Sequence, residues 1–66
     1  MTVEEKITQY GEMLRLGQIA VSEAERMMDG AIVNDCREYV DWPNVWVERY
    51  MQLKRKAWRL LLKVTK

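Results

Sequence analysis

Apolar residues recur along this chain at helical intervals in three blocks, punctuated by Gly17 and Pro43. Val3, Ile7, Tyr10 and Leu14 stand four, three and four residues apart, so they share one face of a helix with 3.6 residues per turn. Thr2 and Glu5 have the spacing of a capping box, in which each side chain serves the other's backbone amide, and Gly17 suits a C-terminal cap. The first predicted helix therefore covers about residues 3–16. Gly11 lies inside it at an intrinsic cost of roughly 1 kcal/mol relative to Ala. Either a neighbouring helix packs closely there or the glycine is simply tolerated.

Ser22 and Glu25 repeat the capping-box spacing, and Ala24, Met28, Ile32, Cys36 and Val40 follow every four residues, with Met27, Ala31 and Tyr39 beside them. The stripe continues across Gly30, which predicts one helix over about 23–40. The competing reading breaks the helix at Gly30 and recaps it at Asn34 or Asp35. In both, the segment offers an apolar face to the first helix. Pro43 then stops it, because proline lacks an amide hydrogen and biases Trp42 away from helical backbone angles, and the same proline is suited to open a third helix over about 43–64.

That third helix carries two apolar stripes. Trp46, Tyr50, Leu53, Ala57, Leu60 and Val64 form a seam of about three heptads. Val47, Met51, Trp58, Leu61 and Leu62 form a second stripe next to it. One seam suffices to pack on a helical hairpin, whereas two adjacent stripes are wide enough to meet two neighbours. The fold class is accordingly all-α, a helical hairpin plus a long C-terminal helix making a three-helix bundle. With 66 residues in a single domain, the core is small and marginal alone. Either the first two helices together cover both stripes in a closed bundle, or the second stripe meets a second copy or a partner's groove; the expectation is the latter, with a homo-oligomer foremost.

Charge sharpens the picture. The formal net charge is only +1, but residues 1–41 hold nine acids against four bases, whereas residues 42–66 hold seven bases against one acid. Lys54, Arg55, Lys56, Arg59 and Lys63 make a basic edge on the third helix. Arg55 with Arg59, and Arg59 with Lys63, are like charges four residues apart, which costs an isolated helix roughly 0.2–0.5 kcal/mol each. The acidic first two helices, of the same chain or of a second copy, are one source of compensation; an outside partner is another.

Catalytic chemistry finds little to work with. Histidine is absent, and it is the usual acid or base near neutrality. Ser22 reads as a cap and Cys36 as a core thiol, while the pairs Glu4/Glu5 and Glu23/Glu25 fall in first helical turns, where the helix dipole favours acids. No cysteine or histidine set could hold a transition metal, no acidic run has calcium-loop spacing, and no glycine-rich phosphate loop occurs. The expectation is a non-enzymatic protein without cofactors. The lone cysteine and the start MTVEEKITQY, which lacks the basic and apolar regions of a signal peptide, point to the cytoplasm.

A partner is then the main question. Tryptophan, tyrosine, methionine and arginine are enriched at interface centres, and the third helix has all four. Trp46, Tyr50, Met51, Trp58 and Arg55 are the expected anchors of a protein partner, and the expected role is a small regulator or inhibitor that blocks or bridges another macromolecule. Nucleic-acid binding by the basic edge is the alternative. A pI near 7.9 weakens it, as does LGQIAVSEAERMM, which matches a helix-turn-helix only loosely and whose Glu23 and Glu25, with Asp29 just after, would repel phosphates. Membrane-surface binding would need the same apolar residues that the core needs.

Overall fold

The computed structural model describes residues 1–65 and shows three helices: α1 (Val3–Arg15), α2 (Val21–Cys36) and α3 (Pro43–Thr65), with a short 3₁₀ turn at Arg37–Tyr39 between the last two. Thr2 caps α1, its hydroxyl accepting from the amide of Glu5 at 3.2 Å and donating to the Glu5 carboxylate. At the other end Gly17 takes a φ of 75°. There the amide of Gln18 reaches the Met13 carbonyl at 2.9 Å and that of Gly17 reaches Leu14 at 3.0 Å, the doubled closure that a left-handed glycine permits.

α2 departs from the sequence reading at both ends. It begins at Val21, with Ala20 as its N-cap and no side-chain cap bond, so Ser22 and Glu25 do not form the expected box. The helix runs through Gly30 without a break and ends at Cys36, where the backbone tightens into the 3₁₀ turn. Val40, expected on the buried stripe, is exposed there. Tightening from 3.6 to 3.0 residues per turn rotates later side chains off the face that Met28, Ile32 and Cys36 share. Pro43 opens α3, and the amide of Trp46 closes on the Trp42 carbonyl at 2.9 Å. At about 1.5 Å per residue, the 23 residues of α3 span roughly 34 Å against roughly 20 Å for the 13 of α1.

Cross-helix contacts set the topology. Arg49 of α3 meets Glu4 near the start of α1 and Asp35 near the end of α2. Further along, Lys54 meets Asp29, and Leu60 lies over Gly11. α1 and α3 therefore run parallel, with α2 antiparallel to both, in a bundle of 38 × 20 × 18 Å. The core is Val3 and Ile7 from α1, Ala24, Met28, Ile32 and Cys36 from α2, and Leu53, Ala57 and Leu61 from α3. Gly11, Ala24 and Ala57 are buried small residues that let the three axes approach. No polar or charged residue is buried among the described residues. Apolar burial is the organising force, and ion pairs lie around its rim.

Candidate interaction surface

The outward face of α3 is where sequence and structure jointly place the functional question. Its inward seam behaves as expected: Leu53 and Ala57 are buried, and Trp46, Tyr50 and Leu60 are half-buried against the core. Trp46 and Tyr50 stack with ring centroids 5.4 Å apart and planes 7° from parallel. These two aromatics, expected as partner anchors, are packed in part against the core.

The second stripe divides. Leu61 turns into the core at 9% exposure, while Val47 at 53%, Met51 at 41%, Trp58 at 52% and Leu62 at 61% remain open. At about 100° per residue those four open side chains fall within an arc of roughly 60°, a straight apolar strip along α3. Leu61 points about 100° from Leu62, far enough to enter the space between α2 and α3. The two shorter helices cover one stripe and the edge of the other.

A single lysine borders the strip on the α2 side. Lys54 is ion-paired with Asp29, and its Nζ lies 6.0 Å from the ring centroids of both Tyr50 and Trp58. Burial by itself pulls this ammonium's pKa down, but the hydrogen bond and charge of Asp29, with help from Tyr50 and Glu25, outweigh it and the net shift is upward. Trp58 is thus held from one side by a charged neighbour while its other side faces outward. A small cleft of about 120 Å³ opens beneath it, lined by Glu25, Asp29 and Ala57 among others.

On the opposite side of the strip runs the basic edge. Arg55, Lys56, Arg59 and Lys63 line an open groove of about 620 Å³ together with Thr8 of α1 and Gln52. Among the described residues, the ion pairs are Arg15–Glu12, Arg49–Glu4, Arg49–Asp35 and Lys54–Asp29. The acidic half of the chain therefore neutralises Arg49 and Lys54 but leaves these four bases unpaired. Lys56 shares a shallow trough with Glu5 and Glu12 without closing on either.

Charge is also sorted along the bundle. Around the end where α1 and α3 begin stand Glu4, Glu5, Asp35, Glu38, Asp41 and Glu48 against Lys6, Arg37 and Arg49. Around the other end stand Glu12, Glu23 and Glu25 against Arg15, Arg26, Arg55, Lys56, Arg59 and Lys63. The described residues thus give an acidic end and a basic end, with the Asp29–Lys54 pair at the middle.

Two features escaped the sequence reading. Arg49 ties all three helices together, its Nη2 2.7 Å from the Glu4 carboxylate and its Nε 3.0 Å from that of Asp35. Trp42 and Val45 are exposed beside Val40 around the turn into α3, and neither belongs to the two stripes that the spacing of α3 predicts. As for reactive groups, Cys36 is a buried free thiol, and burial pushes its pKa up, Asp35 adding to the rise and Arg49 opposing it. No three metal-ligating side chains gather among the described residues. No described helix is long and apolar enough to cross a membrane. Comparison with known proteins finds no matching family model, curated protein or solved structure.

Proposed function

We propose that this protein is a small non-enzymatic interaction module, a regulator or inhibitor that binds a protein partner through the outer face of α3 and thereby blocks or bridges another macromolecule. The observation that carries this reading is the open strip Val47, Met51, Trp58 and Leu62 lying on one helix beside Arg55 and Arg59, which have no ion-pair partner among the described residues. An apolar centre with a charged rim is the general anatomy of a recognition surface, and a half-exposed Trp flanked by Arg supplies the residue types that dominate binding energy. The complementary partner presents apolar side chains edged by acids, as an amphipathic helix or a groove. A reducing compartment such as the cytoplasm suits the single free thiol.

The test is recovery of the partner from host extract with the wild-type protein and with a Trp58→Ala, Arg59→Glu variant. Loss of one specific partner with the variant is the expected outcome. Equal recovery of the same partner by both would show that recognition lies elsewhere on the molecule.

One observation favours a nucleic acid as the second reading: four unpaired bases share one open groove. If those four contact phosphates, affinity should fall about a hundredfold between 50 and 200 mM salt. No gel shift at the lower salt removes this alternative.

A further inference from the structure

The four open side chains of α3 are spaced four, seven and four residues apart, which makes the strip symmetric about a point between Lys54 and Arg55. The geometry points to a second copy of this chain as the occupant of the strip, docked antiparallel on α3 about a two-fold axis through that point. This rests on the reading of α3's outer face as the working surface, and names what covers it.

Two-fold contacts are self-complementary, so every residue must meet a suitable one under the same rotation. Reversal about the midpoint sets Val47 opposite Leu62 of the second copy and Met51 opposite Trp58 of the second copy. A smaller side chain meets a larger one at every level, and the strip closes at even width. A parallel arrangement instead opposes Trp58 to Trp58 and Val47 to Val47, leaving one wide level and one narrow one.

Charge decides the same way. Running the two bundles antiparallel lays the acidic end of each against the basic end of the other, whereas a parallel pair lays like against like. At residue level, Glu48 is the only acid on α3, and it forms no ion pair among the described residues. Reversal carries it to the level midway between Arg59 and Lys63 of the second copy, two bases that also lack partners. Lys54, near the axis, is already neutralised by Asp29. The unfavourable element is Arg55, which approaches its own copy at the solvent edge.

A standard stable interface takes about 800 Å² from each partner, roughly a sixth of this molecule's 4863 Å² surface. A strip about 22 Å long by helical rise, with one charged ridge, is smaller than that. The dimer is therefore weak, with a dissociation constant on the order of 10 µM. A protein partner binding the same strip displaces the second copy.

Sedimentation equilibrium of the full chain from about 1 µM to 1 mM tests this, with circular dichroism to show that each variant is folded. The wild type is expected to pass from monomer to dimer. Glu48→Lys and Arg59→Glu each weaken the dimer by about tenfold, since two exposed pairs are reversed in each homodimer. An equimolar mixture of the two variants regains wild-type association, because both cross-copy pairs are then opposite in sign. Within one chain these positions lie about 16 Å apart along α3, so restoration arises only between copies. A dimer that ignores both reversals, or no recovery on mixing, overturns the antiparallel arrangement. A strict monomer throughout overturns self-association, while a partner lost on Trp58→Ala would still uphold the functional reading. Persistence of the dimer in Trp58→Arg overturns the strip as its contact.

Discussion

Replacing Gly11 by alanine should make this protein more stable, although the glycine is buried facing Leu60 where α1 packs on α3. A Cβ built there meets Leu60 at 3.6 Å from both its Cβ and its Cδ1 and at 3.9 Å from its Cγ. Those distances sit in the optimal window of about 3.5–4.0 Å for carbon contacts, so the methyl gains attraction without displacing a neighbour. The backbone term is larger: alanine improves a helix interior by about 1 kcal/mol, mainly by reducing the freedom of the unfolded chain. Together these predict a gain of about 1 kcal/mol, or a rise in Tm of about 4–8 °C for a domain of this size. Thermal unfolding at low micromolar concentration checks it, where self-association contributes little. Gly30→Ala provides the control, since a Cβ at that exposed site meets nothing within 4 Å and reports backbone propensity alone. Gly11→Leu, by contrast, must displace Leu60 and should cost roughly 1–3 kcal/mol. A Tm for Gly11→Ala below that of the wild type, with Gly30→Ala raised, would refute the reasoning by showing that the two helices need a bare backbone at their crossing.

Two further outcomes follow from the rim and the core. Arg49→Met breaks both ion pairs that join α3 to α1 and α2; because those groups are about a third exposed, the expected loss is only about 1 kcal/mol, read as a lower midpoint in urea, and a midpoint unchanged from wild type would dismiss the hub. The Cys36 thiol, fully buried and with its pKa pushed up by that burial, should react with a disulfide reagent at pH 8 only as fast as the bundle opens, and labelling at the rate of a free thiol would show that α2 is not sealed there.

The division of the α3 residues shows what was legible. Trp46, Tyr50, Leu53 and Leu60 could be assigned to a packed seam from spacing alone, because a helix repeats its direction every 3.6 residues and apolar side chains must leave water together. The excess of apolar width on α3 was likewise visible, and with it the expectation that part of the helix stays uncovered. Leu61 and Leu62 are adjacent, equally apolar and indistinguishable by periodicity, yet one is in the core and the other is 61% exposed. The start of α2 was misread for a related reason. Ser22 and Glu25 have the right spacing for a cap, but a box forms only if Ser22 is the first residue outside the helix, and the chain becomes helical at Val21 instead.

By itself the sequence determined the class of fold, the extent of α1 and α3, the caps at Thr2 and Gly17, and the separation of acidic and basic halves. These depend on neighbours within about one helical turn, where propensity, periodicity and capping act. Only the tertiary structure decided which bases are neutralised and which apolar residues stay open. Arg49 and Lys54 find acids 14 to 45 residues away, whereas Arg55 and Arg59, on the same helix, find none among the described residues. That choice rests on how far each helix is rotated about its own axis. The rotation is set by the joint packing of Ile7, Met28, Ile32 and Leu53, and no local stretch of sequence carries it.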